Sequence, residues 1–307
     1  MLTQLKRRAL KFGFDRYYAW RLPEFYENQV IEVDYPVDPS PRYVPVTQAH
    51  PMLWQWFDRR RAHCRETLAT IAQYRTRFEA IAGDTTDPRA PRWNQKWFSA
   101  LDAMALYALI ATRRPKRIVE IGSGNSTKFA AAAIRDEGLS SSFTSIDPQP
   151  REEIDALCDE VLRAPLERVD QRVFEDLEAG DLLFVDSSHR AFTNSDVTTF
   201  FLEILPGLPG GVLLHIHDIF LPWDYPAAWR RRFYSEQYLL SSWLLAAPDR
   251  LNLVLSNMFV SFDPPLRAIV DDMFRGSPVA TMLARDAMYG GVRGACGTSF
   301  WAEVAGV

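Results

Sequence analysis

Short apolar runs alternate with helix-length segments between residues 117 and 218 of this chain. The runs cover Arg117–Ile121, Phe143–Asp147, Gln171–Phe174, Asp181–Asp186 and Gly211–His217. Because strands joined through helices form parallel sheets with right-handed crossovers, the alternation predicts a doubly wound α/β fold. Two later runs, Leu251–Phe262 and Thr298–Val304, are expected to complete a mainly parallel, seven-stranded sheet as a hairpin-like pair.

Helical patterns occupy much of the remaining chain. They are predicted over Met52–Ile81, Trp97–Thr112, Lys128–Glu137 and Glu152–Arg163. A polar, proline-bearing break at residues 83–91 divides the first two patterns. We therefore predict an N-terminal helical accessory region at residues 1–90 and a ligand-binding domain at residues 91–307.

Charge and cysteine content narrow the classes of partner. The 307 residues carry a formal net charge of −4, which gives no general attraction to nucleic acid. Cys64, Cys158 and Cys296 are far apart and lack metal-site spacing, so a reducing cytoplasm fits best. A basic, apolar first helix could lie on a membrane surface, but packing on the accessory region or on a second subunit is favoured.

A glycine turn and a downstream acid predict an adenosine-containing ligand. The segment Glu120–Thr127 reads EIGSGNST, and its glycines allow backbone to approach a ligand closely. Asp147 follows Gly124 at the distance expected of a carboxylate that accepts ribose hydroxyls. A dinucleotide site would have a third glycine where this chain has Thr127, so the turn favours S-adenosylmethionine (SAM) over NAD.

These segments resemble class I SAM-dependent methyltransferases, whose first motif, E/D-x-G-x-G, stands here as Glu120–Gly124. The resemblance implies a Rossmann-like fold, with Gly122 and Gly124 beside the methionyl part of SAM and Asp147 on its ribose. Ser126 stands where many members have a third glycine. The cofactor-binding residues that we predict are Glu120, Gly122, Ser123, Gly124, Ser126, Thr127, Asp147 and Asp186.

Polar side chains cluster where the fourth and fifth predicted strands end. The segments read DSSH at Asp186–His189 and HIHD at His215–Asp218. Imidazole titrates near neutral pH and suits proton removal from a methyl acceptor, so His189 is the preferred base and His217 the second candidate. Asp186 is a third candidate catalytic residue, and His215 lies deeper and is expected to be structural.

Part of this cluster also resembles a metal site. Asp186, His217 and Asp218 match in position the ligands of metal-dependent small-molecule O-methyltransferases. Carboxylates favour Mg²⁺, whereas an imidazole ligand favours Mn²⁺, Fe²⁺ or Zn²⁺. A metal-free histidine base explains the same residues, and both alternatives stay open.

An aromatic insertion at about residues 220–247 follows the fifth predicted strand. It is expected to form a lid over the acceptor, although aromatic residues at helical spacing also build cores. The combined hypothesis is a SAM-dependent methyltransferase acting on an oxygen of a small-molecule or sugar-containing acceptor. An NAD-dependent oxidoreductase and a non-catalytic SAM-binding scaffold are the alternatives, and a homo-oligomer is compatible with each.

Overall fold

The computed structural model describes Tyr35, residues 37–285 and residues 291–306. The chain divides into two compact units, Met1–Asp38 and Pro39–Val307. All elements named below belong to the second unit. The predicted basic first helix lies outside the described residues, and none of the described helices has the length and apolar content needed to cross a bilayer.

Seven strands form one sheet. They are β1 (Arg117–Ile121), β2 (Ser142–Ile146), β3 (Glu160–Leu162), β4 (Leu182–Val185), β5 (Leu213–Ile216), β6 (Leu251–Ser256) and β7 (Phe300–Val304). Their spatial order is β3-β2-β1-β4-β5-β7-β6. The first five strands run parallel, and β7 is antiparallel to both β5 and β6. The predicted doubly wound, mainly parallel, seven-stranded sheet is confirmed.

Helices cover the sheet and extend the core. They are α1 (Pro51–Asp58), α2 (Arg61–Gln73), α3 (Arg75–Ala80), α4 (Ala100–Arg113), α5 (Asn125–Asp136), α6 (Arg172–Glu175), α7 (Asp196–Thr199), α8 (Glu236–Ala246), α9 (Asn257–Phe262), α10 (Pro264–Met273) and α11 (Val279–Arg285). Side chains of α1–α3 belong to the same hydrophobic core as the sheet, and the predicted division at residue 90 stays a prediction.

Burial on both faces explains why the central strands are so apolar. Every residue of β4, Leu-Leu-Phe-Val, is buried, as parallel strands covered by helices on both sides require. Helix α4 is buried over nearly its whole length and packs on α5, the helix that follows the glycine turn. The turn is therefore anchored on well-packed elements.

The register of the parallel strands places their polar ends side by side. Ile121 pairs with Ile146 and with Val185, and Val185 pairs with Ile216. The residues that directly follow these four positions are Gly122, Asp147, Asp186 and His217. The sheet thus brings together the four segments in which the sequence predicts a site.

Two predicted elements between β2 and β4 are wrong. Residues 152–163 form a short 3-10 turn and strand β3 rather than a helix, because β3 pairs with β2 and Asp159 accepts a hydrogen bond from Phe143 N at 2.8 Å. Gln171 is the N-cap of helix α6, and residues 172–174 lie in that helix rather than in a strand; Asp170 accepts a hydrogen bond from Arg172 N at the start of the helix.

The predicted run Leu251–Phe262 also divides. Strand β6 stops at Ser256, whose hydroxyl oxygen accepts a hydrogen bond from Phe259 N and so caps helix α9. Other boundaries shift by a few residues, with α5 starting at Asn125 and α4 at Ala100. The helical pattern over Met52–Ile81 becomes the three helices α1–α3.

Candidate active site

Gly122 occupies a position that no other residue can take without strain. Its φ is +79°, a left-handed conformation that favours glycine, and a Cβ at this position would overlap the backbone carbonyl of Asp186. Its N–H donates to Ile146 O at 2.9 Å. Gly122 therefore lets the ends of β1, β2 and β4 approach one another.

Buried hydrogen bonds support the glycine turn from within. Ser126 Oγ donates to Glu120 Oε1 at 2.6 Å, and Thr127 Oγ1 donates to Glu120 Oε2 at 2.5 Å. Thr127 Oγ1 also accepts from Gly124 N at 3.0 Å. Burial raises the pKa of Glu120 to about 8, although the two hydroxyls oppose the shift. Glu120, Ser126 and Thr127 therefore shape the turn.

Asp147 ties the glycine turn to the end of β2. One carboxylate oxygen accepts from Ser123 N and the other from Gln149 N, both at 2.7 Å. Ser123 Oγ lies 2.5 Å from Ser145 Oγ. Among the described residues, apart from the two neighbours of Gly124 in the chain, no heavy atom lies within 4 Å of the position of a Cβ on Gly124, so open space borders the turn at this residue.

The predicted catalytic residues meet beyond β4 and β5. His189 Nε2 lies 3.3 Å from Asp186 Oδ1 and 3.5 Å from Asp218 Oδ2. His217 Nδ1 lies 3.4 Å from the same Asp186 oxygen and 3.7 Å from Asp218 Oδ1. Asp186 is 32% exposed, whereas the other three side chains are buried. A small molecule would thus reach the cluster at Asp186.

Glu236, which the sequence did not indicate, lies behind His189. Its Oε2 is 2.8 Å from His189 Nδ1, and its Oε1 accepts from Ser187 Oγ at 2.8 Å. Glu236 is fully buried at the start of α8, within the aromatic insertion. Only the fold brings it to His189, because 47 residues separate the two.

Asp102 contacts His217 on the side away from Asp186, as Glu236 contacts His189. The sequence pattern did not predict this residue either. Its carboxylate lies 3.5 Å from His217 Nε2 and accepts from Ser99 Oγ at 2.5 Å, Asn257 Nδ2 at 2.6 Å and Ser299 N at 2.8 Å. One signal was available in the sequence. Asp102 is the single acid of the otherwise apolar segment ALDAMALYALIA of α4.

The carboxylates set the protonation of the two imidazoles. Burial lowers the pKa of His189, but Asp186, Glu236 and Asp218 outweigh burial and raise it well above the usual value. Asp186, Asp218 and Asp102 do the same for the pKa of His217. Burial raises the pKa of Asp186, yet the two imidazoles bring it well below its ordinary value. The cluster thus stabilises imidazolium beside carboxylate.

His215 lies apart from this arrangement, as expected. Its ring stacks on Phe184 with centroids 3.8 Å apart, and its Nε2 lies 2.8 Å from Ser299 Oγ. Burial lowers its pKa well below the usual value, so the ring is neutral. It is a core histidine.

The predicted metal ligands come together but are not arranged around an ion. Within the described part of the chain, no group of three or more His, Cys, Asp or Glu side chains could hold a metal. Asp186, His217 and Asp218 instead pair with one another.

The aromatic insertion packs against the cluster. Phe220, Trp223, Tyr225 and Trp229 form a small buried core with Met258. The ring of Tyr234 lies 4.7 Å from that of His189. In the run Arg230–Arg232, Arg232 stacks on Trp229 at 4.2 Å while the other two are exposed. The insertion thus contributes both a core and one wall of the site.

Comparison with known proteins identifies the central part of the chain. Residues 119–219 match a family described as a methyltransferase domain. The match spans the glycine turn, Asp147 and the cluster from Asp186 to Asp218. No curated protein matches the chain.

Solved structures with some similarity are also methyltransferases by name. A Podospora anserina methyltransferase bound to S-adenosylhomocysteine (SAH) is 17% identical, with 73% of this chain and 93% of that chain covered and a TM-score of 0.37. A Bacillus cereus O-methyltransferase in complex with SAH is 16% identical, covering 78% and 90%, with a TM-score of 0.39. A Streptomyces achromogenes O-methyltransferase in complex with SAM is 17% identical, covering 78% and 90%, with a TM-score of 0.34.

Proposed function

We propose that this chain is a class I SAM-dependent methyltransferase, and that it methylates an oxygen of a small-molecule or sugar-containing acceptor with His189 as the general base. One observation carries the proposal. The backbone of Asp186 closes on Gly122 so tightly that the acid–imidazole cluster directly adjoins the glycine turn. A cofactor on the turn and an acceptor at the cluster would therefore be neighbours.

The turn and Asp147 fit the cofactor. The open space at Gly124 leaves room for the methionyl part of SAM. Asp147 uses each carboxylate oxygen for one backbone hydrogen bond, so each keeps a lone pair for a ribose hydroxyl. Bound SAM supplies a methyl group activated by its positive sulfonium. Glu120, Ser123, Ser126 and Thr127 hold the turn in shape.

The carboxylates around His189 raise its pKa, so the neutral ring is a strong base, and it can take the proton of the acceptor once the pH is high enough to free Nε2. An acceptor hydroxyl beside the exposed carboxylate of Asp186 would lie near His189 Nε2, which is 3.3 Å from that carboxylate. As the acceptor oxygen gains the methyl group, its proton passes to Nε2, and Asp186 and Asp218 stabilise the imidazolium formed. His217 holds Asp186 from the other side. That a divalent ion takes part stays a hypothesis, which titration after chelation tests.

The wider setting supports a small acceptor. The net charge of −4 disfavours nucleic acid, and the insertion offers Tyr234 as an aromatic wall beside His189. Within the described residues, Cys64, Cys158 and Cys296 form no disulfide bond, which is compatible with a cytoplasmic protein. Oligomeric state stays a prediction for solution measurement.

Calorimetric titration with SAH tests the cofactor site without knowledge of the acceptor. We expect micromolar binding to the wild type, a loss of at least roughly tenfold in Asp147→Ala and no change in His189→Asn. A second titration after chelation shows whether an ion contributes to binding. Absence of SAH binding to the folded wild type would overturn the proposal.

A further inference from the structure

We propose that Glu236 is a positioning residue for the base: it holds the imidazole proton on His189 Nδ1, so that Nε2 faces the reacting atoms. The inference rests on the proposed role of His189. It makes the aromatic insertion part of the acid–base machinery as well as a cover, because Glu236 is the first residue of the helix within that insertion.

The contact between the two side chains is short, buried and fixed at both ends. His189 Nδ1 and Glu236 Oε2 are 2.8 Å apart, and their side chains are 7% and 0% exposed. The other oxygen, Oε1, accepts from Ser187 Oγ at 2.8 Å. A carboxylate only accepts hydrogen bonds when ionised, so Glu236 holds a proton on Nδ1. Nε2 is farther from its carboxylates, at 3.3 Å from Asp186 and 3.5 Å from Asp218, so the proton on Nε2 is the one that the ring gives up when it becomes neutral. Glu236 itself is too deeply buried to touch an acceptor.

The backbone of the insertion holds His189 as well. The carbonyl oxygen of His189 accepts from Ser235 N at 2.8 Å and from Glu236 N at 3.2 Å. Ala191 N donates to Ser235 Oγ at 2.9 Å, and Arg190 Nε donates to Arg232 O at 2.9 Å. These bonds join residues 189–191 to residues 232–236 on both sides of the imidazole.

Such restraint is needed because His189 adopts an uncommon backbone conformation. Its φ is +63°, in the left-handed region that residues with a side chain rarely occupy. Neighbouring structure must hold a residue in this state, and here the insertion does so. Glu236 then fixes the ring rotation, which leaves Nε2 between Asp186 and Asp218.

Nitrogen NMR on protein with ¹⁵N-labelled histidine tests the proposal directly. The chain has only five histidines, and His189→Asn assigns the resonance. In the wild type, at a pH high enough for the ring of His189 to be neutral, we expect its single proton to lie on Nδ1. Glu236→Gln should reduce that preference, because a carboxamide can donate to Nδ1 as well as accept from it. Asp224→Asn is the matched control, since Asp224 lies in the same insertion but bonds to Arg42, Tyr43 and Tyr238.

Kinetics with any acceptor found by screening provide the second readout. Glu236→Gln should lower kcat by at least roughly 100-fold, with the KM for SAM unchanged within about twofold. Asp224→Asn should leave both kcat and the KM for SAM unchanged. If Glu236→Gln does not fold, Ser187→Ala should shift the tautomer in the same direction. If folded Glu236→Gln keeps the proton of His189 on Nδ1 as in the wild type, the proposed role of Glu236 is wrong. Failure of the wild type to bind SAH would instead overturn the proposed function, while the tautomer comparison would still decide the question of Glu236.

Discussion

The backbone carbonyl of Asp186 lies against the α-carbon of Gly122, in the space where any other residue would place its Cβ. This contact joins the glycine turn after β1 to the polar cluster after β4. Both halves of the site depend on it, because Gly122 also bonds to β2 while Asp186 lies between His189 and His217.

Gly122→Ala should therefore destabilise the fold, whereas Gly124→Ala should not. The first change adds an overlap and places alanine at positive φ, at a cost of about 2–4 kcal/mol in the free energy of unfolding. The methyl of the second enters open space, so it should weaken SAH binding with the stability unchanged. Urea unfolding and SAH titration of both variants measure the difference. Equal stability of the two would contradict the contact.

Glu120 should make the protein less stable as the pH rises. Its pKa is about 8 in the folded state and near 4.5 when unfolded, so the unfolded chain binds fewer protons between these values. Stability is then fully present below about pH 4.5 and is lost by about 1.4 kcal/mol per pH unit up to about pH 8. Glu120→Gln should flatten this dependence in urea unfolding at pH 5, 6.5 and 8, and the exposed Glu175→Gln should not. Parallel curves for all three proteins would show that Glu120 ionises freely.

Asp102 should stabilise the fold as an ionised, buried acid. Burial raises its pKa, but His217, Ser99 and Asn257 outweigh burial and lower it to about 2. Asp102→Asn should cost about 2–4 kcal/mol at neutral pH, because backbone N–H donors would then face an amide. The stabilisation from ionisation is present above the unfolded pKa and is lost as the pH falls through about 2, so the gap between the proteins should narrow below pH 4. Asp249→Asn, on a side chain that is 94% exposed, is the control for a change of charge alone.

His189, which follows β4, and His215, which lies within β5, should respond differently to substitution. His189→Gln should reduce methyl transfer by at least roughly 100-fold with SAH affinity unchanged, because its nitrogen is proposed to take the acceptor proton. His215→Gln should retain kcat and lose about 1–3 kcal/mol of stability, since it removes packing on Phe184. Turnover and thermal unfolding of the two variants separate the roles. A loss of turnover in His215→Gln alone would reverse the assignment.

The local sequence pattern was sufficient to predict those parts of the site that directly follow strands. The glycine turn, Asp147 and the segments at Asp186 and His217 each come directly after an apolar run, and the strand register aligns those positions without further information. Strand β3 was not found, because its three residues are strand only by pairing with β2. The helix at residues 172–175 was also not found, and it starts beside Asp170, which accepts a hydrogen bond from Arg172 N.

The sequence by itself determined the doubly wound sheet, the glycine turn and the polar strand ends, because hydrophobic periodicity and glycine geometry act over a few neighbouring residues. Only the tertiary structure decided which buried carboxylates contact the inner nitrogens of His189 and His217. Asp102 reaches His217 from a helix that precedes β1, and Glu236 reaches His189 from the aromatic insertion. Their effect depends on burial and on distances near 3 Å between residues far apart in the chain, and such distances exist only once the core has packed.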